Sequence, residues 1–398
     1  MNRATAVHDV CLTGLGMTTS LGQDAVTSCA AARARMVRPS TVETFKLGDP
    51  ENMEGTPVKV HAALDVTRGF EGDARLLRLL VSALGDLWSG CEPGSLGDSP
   101  RFYLSLPHPR RVYSGLPRLE DDDRADLEAE IRALGAAVDP RIWAEKLLGR
   151  ALGLSECAVL DKKHIDHPVI GGVTFSGTSG TLELLAQVAT DLQAREVSAA
   201  IVIGADSLLD TSTLEWLERT ARLKTPNRPA GLMPGEGAAC LLFERRDQAR
   251  RRRARELGTL AALSYGNEPS PLLSGGHASG HALAETIVGV EQAAAWREPS
   301  HVWLITDQNG EIDRAEEWGA TMTHLVSRSP IYVAPQVWYP AITFGDTGAA
   351  YGAVAMGIAA RAFQRKYAPF QNAVIASSSE GATRSMAVLQ RPEEGMSS

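Results

Sequence analysis

Cysteine is scarce in this 398-residue chain. Five are present (Cys11, Cys29, Cys91, Cys157, Cys240), scattered and without a CxxC pair. That excludes a disulfide framework and a zinc ribbon, and the thiols are expected to be reduced in a cytoplasmic protein. Cations are in deficit: 40 Lys and Arg face 48 Asp and Glu, for a net charge of −8. This is the wrong sign for a general nucleic-acid binder, so no nucleic-acid partner is expected. Aromatic residues make up only 6%, which disfavours a base-stacking or carbohydrate-binding surface. No apolar run approaches the roughly 18–20 residues that span a bilayer. The opening MNRATAVHDVCLTGLG holds no secretory apolar core, and no membrane partner is expected.

What is present is a strand–helix alternation. Val7 to Thr13 reads as a buried strand that ends in the turn Gly14-Leu15-Gly16. Leu76, Leu79, Leu80, Ala83, Leu84 and Leu87 recur at helical spacing and predict a helix over Arg75 to Trp88. The charged, turn-rich stretch Arg110 to Glu130 follows a short strand at Arg101 to Leu106, and Arg141 to Leu152 reads as helical. Val169 to Phe175 predicts a strand, and Gly177-Thr178-Ser179-Gly180 opens a helix to about Arg195. Ser198 to Gly204 reads as a fully apolar strand, as buried parallel strands tend to be, and Ala238 to Phe243 as another strand. From Gly258 the pattern restarts, with strands at Thr259 to Tyr265 and His301 to Thr306, a helix at Ala349 to Phe363 and closing strands at Val374 to Ser377 and Met386 to Gln390. The expectation is an α/β protein of two similar halves, 1–257 and 258–398, with an insertion at about 107–160 in the first.

Four segments resemble the β-ketoacyl synthases, the condensing enzymes of the thiolase fold. They are CLTGLGMTTSLG (Cys11 to Gly22), the strand–turn–helix at Val169 to Arg195 with IVIGADS after it, GLMPGEGAACLLFE (Gly231 to Glu244) and FGDTGAAYGAVAM (Phe344 to Met356). They occur in the family's order and span nearly the whole chain. The resemblance implies the thiolase fold, two pseudo-repeated α/β halves in a five-layer arrangement.

It also implies a degenerate site. The family's nucleophilic cysteine falls at Gly177 or, counting back from Gly204, at Ser179. Its two histidines fall at Asp307 and Asp346, its lysine at about Ala341, and its glycine-rich closing loop at Ser377 to Gly381. Cys157 precedes the strand and Cys240 lies within one, so neither takes the nucleophile's place. An ionised Asp307 about 4 Å from a developing enolate would repel it by ~4 kcal/mol at an effective dielectric of ~20, roughly a thousandfold in rate. The resemblance therefore implies a subunit that has lost condensation and serves in binding or scaffolding, as chain-length factors of polyketide synthases do, or an accessory protein. It would work as a homodimer, as a heterodimer with an active synthase, or with an acyl carrier protein or other protein partner. The alternative is an acyltransferase or hydrolase acting on acyl thioesters with a Ser or Thr nucleophile, best placed at Ser179.

Ser176, Thr178, Gly180, Ser377 and Ser378 are the candidates for holding an acyl group or anion, and the same small residues suit a sharp turn. His277, His281 and Glu285 at spacings of four, and His164 with His167, are weak metal signals, and neither a metal nor a cofactor is expected. Arg245 to Gly258 holds seven arginines, suited to an acidic partner or to a solvated helix face. The resemblance also implies that the strand Pro168 to Thr174 pairs antiparallel with its copy across a two-fold axis.

Overall fold

The computed structural model describes residues 3–49, 52–92, 96, 97, 99–109, 111, 139–294 and 301–392. The first part of the chain forms β1 (Arg3–Ala6), β2 (Val10–Thr19), α1 (Ala25–Arg33), the hairpin β3 (Ser40–Asp49) and β4 (Asn52–Val60), α2 (Leu64–Thr67), α3 (Gly72–Ser89) and β5 (Pro100–Ser105). Next come α4 (Pro140–Leu154), α5 (Lys162–Asp166), β6 (Ile170–Thr174), α6 (Gly180–Gln193), β7 (Ala199–Ser207), α7 (Thr211–Arg219), β8 (Glu236–Arg245) and α8 (Arg246–Arg251). The remainder forms β9 (Gly258–Asn267), α9 (His281–Ala294), β10 (Trp303–Thr306), α10 (Ile312–Arg328), β11 (Gln336–Trp338), α11 (Pro340–Phe344), α12 (Tyr351–Gln364), β12 (Asn372–Ser378) and β13 (Thr383–Gln390).

Two strand series meet at β2, which pairs antiparallel with both β8 and β9. One series runs β2-β8-β7-β5-β6 and the other β9-β13-β12-β10-β11. Each is antiparallel at its first two junctions and parallel at its last two. Numbered within its own five, each series has the order 1-5-4-2-3, so the repetition anticipated in the sequence is carried by pairing order and direction together. Helices α6 and α12 touch strands of both series, α3 and α4 pack on the outer side of the first, and α9 and α10 on that of the second. The result is helix, sheet, helix, sheet, helix.

The abundance of Ala and Gly has its cause in the middle layer. Twelve of the fourteen residues of α12 are buried. A Cβ on Gly352 would come within 2.8 Å of Thr181 Cβ in α6, and one on Gly357 within 2.4 Å of Met17 Cε. Only small residues let a helix enclosed on all sides approach its neighbours this closely.

The expected apolar stripe of α3 is buried at Leu76, Leu79, Leu80, Ala83, Leu84 and Leu87, although the helix begins three residues earlier than expected. The hairpin β3–β4 was not anticipated. Of the expected insertion, residues 110 and 112–138, and with them the acidic run Glu120 to Asp123, lie outside the described residues. No described helix is long and apolar enough to cross a membrane.

Candidate functional site

The turn after β6 places the residues matched to the condensing nucleophile. Residues Gly177–Ser179 form one 3-10 turn. Gly177 has φ of +57°, a left-handed conformation that side chains resist. A Cβ on Gly180 would lie 2.5 Å from Ser105 Oγ, so this position demands glycine for packing. Ser179 is fully buried. Its hydroxyl lies 3.3 Å from Ser377 Oγ and 3.4 Å from the Thr383 carbonyl. Ser377 donates in turn to Asp307 Oδ2 at 3.1 Å.

Asp307 gathers this corner. Its Oδ2 also accepts from Thr178 Oγ1 (2.9 Å), Ser378 N (2.7 Å) and Arg314 Nη1 (2.8 Å). Arg314 Nη1 donates to the Ser378 carbonyl as well, at 2.7 Å. A buried guanidinium therefore lies against the Asp307 carboxylate, a partner that the sequence reading did not supply. With four donors on Oδ2, little acceptor capacity is left on that oxygen to take a proton from Ser179 through Ser377.

The second matched aspartate belongs to the same network. Asp346 Oδ2 accepts from Asn309 Nδ2 at 2.6 Å and Oδ1 from Gly348 N at 2.8 Å, and burial pushes its pKa up. Asn309 Nδ2 also donates to Glu311 Oε2 at 2.8 Å. Glu311 is held by Arg222 through Nε (2.6 Å) and Nη2 (3.2 Å) and by Arg314 Nε (3.3 Å). Burial alone would raise the Glu311 pKa, but Arg222 and Arg314 bring it down to about 2. Arg222 reaches Glu380 as well, at 2.7 Å. The structure therefore joins Thr178, Ser179, Asp307, Ser377 and Ser378 directly, and Asp346 through Asn309, Glu311 and Arg314. Ser176 is turned elsewhere and donates to Glu183 Oε2 at 2.8 Å.

Open space here is small. Two spaces of about 10 Å³ each border Arg314 and Ser378, room for about one water apiece. A cleft of about 630 Å³ lies apart from this corner, lined by Arg75, Arg111, Trp143, Asp210 and Trp216 among others.

Sequence reasoning missed the two partners 89 residues apart, Arg222 and Glu311. It also missed the role of the glutamate in Gly-Glu-Gly-Ala. Glu236 is fully buried and accepts from Ala63 N, Thr67 Oγ1, Ser207 Oγ and Arg75 Nε and Nη2 at 2.5–3.0 Å, tying β8 to α2 and α3. Among the described residues no group of three His, Cys, Asp or Glu could hold a metal, and His277 lies outside the helix that starts at His281. The arginine run is largely occupied: Arg252 pairs with Glu244, Arg246 with Glu256, and Arg245 and Arg251 with Asp247. All five cysteines are free thiols.

No family model and no curated protein matches this sequence. Solved structures do match. The ketosynthase from module 6 of the bacillaene synthase of Bacillus subtilis 168 is similar with a TM-score of 0.70 at 11% identity, over 96% of this chain and 72% of that one. A chain of a type II polyketide synthase acyl-carrier protein in complex with its ketosynthase bound to the hexaketide gives 0.69 at 14%, over 98% and 100%. The ishigamide ketosynthase/chain length factor gives 0.64 at 17%, over 97% and 100%. At these identities the likeness is one of fold: the chain has the thiolase-like fold of the ketosynthases.

Proposed function

We propose that this chain is a ketosynthase-like subunit that does not condense acyl groups and acts by binding a partner, in the manner of a chain-length factor or accessory protein. The observation that carries the reading is the corner at Asp307. A condensing site needs an accessible nucleophile and donors aimed at a developing enolate. Here the matched hydroxyl of Ser179 is fully buried. The two matched aspartates are bound into an ion network, and Arg314 points its Nη1 at Asp307. Incubation with an acyl-loaded acyl carrier protein and its malonyl-loaded form is expected to give no elongated product. A product that appears and is lost in Ser179→Ala would overturn the proposal.

The Ser179–Ser377–Asp307 chain of hydroxyls and carboxylate is the one observation favouring a serine acyltransferase or hydrolase. Intact-mass spectrometry after exposure to acyl-coenzyme A separates the readings: an adduct mapped to Ser179 supports the enzyme, and an unmodified chain supports the binding subunit.

We read its assembly from β6, which ends its strand series and, among the described residues, pairs with β5 alone. Val169 beside it is half-exposed. An unpaired apolar edge invites another strand, and we read it as the contact with a second copy or with an active synthase. Light scattering that finds a stable monomer at micromolar concentration would sink the homodimer. The two strand series are read as halves 1–257 and 258–398.

A further inference from the structure

We propose that the neighbouring C-terminal ends of α1 and α12 form a docking surface for the acidic face of a compact protein partner. The two helices pack on each other and finish alike. Met36 N returns to the Ala31 carbonyl and Tyr367 N to the Ala362 carbonyl, each at 3.0 Å. The preceding residue is basic and left-handed in both, Arg35 at φ +50° and Lys366 at φ +58°. The Arg33 guanidinium lies over the Tyr367 ring, 4.4 Å from its centroid. Burial raises the pKa of the Tyr367 hydroxyl to about 12, against which Arg33, Arg361 and Arg365 pull it down. Beyond α1 every residue to Pro39 is exposed, so that Arg35 and Arg38 flank Met36 and Val37, which are 50% and 55% accessible.

The stretches 25–42 and 347–379 contain no Asp or Glu, in a chain that has 48 of them. Among the described residues no carboxylate pairs with Arg33, Arg35, Arg38, Arg361 or Arg365; the contacts made are the Tyr367 ring under Arg33 and Gln364 beside Arg361.

Arginines at helix C-termini also complement the helix dipole, and magnitude decides how far that explains them. Two helix ends supply about −1 of charge together, against five guanidiniums. Asp86, which Arg361 also influences, takes up about one more, and a surplus of about three positive charges remains. With these five set aside from the total of −8, the rest of the chain carries −13. A long polyanion or a membrane plane would extend from the patch onto that negative surface and be repelled. A compact acidic partner confined to the patch is not. Exposed Met36 and Val37 among arginines match the mixed apolar and cationic make-up of protein interfaces.

The test uses the full chain and a fluorescent amphipathic Glu/Leu helical peptide as probe. Vesicles of phosphatidylglycerol and a 20-base-pair DNA duplex are the comparisons. The peptide is expected to bind in a salt-sensitive way, to weaken at least tenfold in Arg33→Glu/Arg365→Glu and several-fold in Met36→Asp, and to be unaffected by Arg141→Glu on the far helix α4. If the double variant melts early, Arg35→Glu/Arg38→Glu in the exposed segment reads the same surface. The proposal is overturned by absent peptide binding, by equal loss in the Arg141 control, or by vesicles or DNA binding more tightly than the peptide with the same dependence on the patch.

Discussion

Arg314 Nη1 sits 2.8 Å from Asp307 Oδ2, with both side chains less than a tenth exposed. The cation that balances the carboxylate is seven residues further along the same chain, on the first turns of α10. Removing it would leave Asp307 and Glu311 short of a partner inside the protein. Stranding buried charge in this way costs about 3–5 kcal/mol. Arg314→Met should therefore lower stability by that order in urea denaturation. Arg314→Met/Asp307→Asn should recover part of the loss. A single variant within about 1 kcal/mol of the parent would show that the pair does not carry charge balance.

Glu236 supports a second prediction. It accepts five hydrogen bonds with no exposure. Glu236→Gln keeps the shape but turns an amide NH2 toward donors, and a loss of about 2–4 kcal/mol is expected. The measurement is the denaturation midpoint. A midpoint equal to the parent's would remove Glu236 as the tie between β8 and α3.

The pH dependence isolates His61. Burial lowers its pKa from 6.5 to about 4. Between those values the unfolded chain binds the proton and the folded chain does not, so stability falls as pH drops through the window, by about 3 kcal/mol in all. Asp346 acts in the opposite direction, because its raised pKa makes the folded state take up a proton first. The readout is therefore the difference between proteins. Melting temperatures of His61→Leu should decline less from pH 6.5 to 4 than those of the parent. Parallel curves would exclude the histidine as the cause.

Two glycines on either side of the β2–α3 contact should respond with opposite signs. A Cβ on Gly16 would lie 2.1 Å from the Ala83 carbonyl oxygen and 2.4 Å from Leu87 N, both backbone atoms of α3. Gly16→Ala is expected to cost about 3 kcal/mol or more. Gly85 lies inside α3 with nothing within 4 Å of its missing Cβ, and Gly85→Ala should add about 0.5–1 kcal/mol. Thermal melts of the two variants decide the matter, and a stabilised Gly16→Ala would contradict the close packing described.

Much of the fold was legible because burial is periodic. The apolar runs of β7 and β8 and the stripe of α3 follow from which faces leave water. The hairpin β3–β4 escaped because its alternation is diluted by Glu43, Lys46 and Lys59, and because Pro57 sits inside it. At the site, the sequence yielded the positions Ser179, Asp307 and Asp346 but not what holds them. Arg314, Glu311 and Arg222 read as ordinary surface charges at helix ends. Only the folded chain shows that Arg222 and Glu311 meet out of water. What the sequence did not supply is the cation beside Asp307, because Arg314 meets it only in the folded chain.

The position of β2 bears on how the chain is made. Cys11 pairs with Glu244 and with Thr259, and the first strand partner to be made is Gly237 opposite Thr19, so this early strand has no neighbour in its sheet until more than 210 further residues exist. At about 5–20 residues per second of synthesis, that is a wait of roughly ten to fifty seconds. During it the apolar segment Val10 to Met17 has only helices such as α1 and α3 to cover it, with both strand edges still unpaired. Pairings this distant in sequence also slow the search for the native topology, and a piece that ends before β13 lacks a strand between β9 and β12 and is not expected to reach this fold.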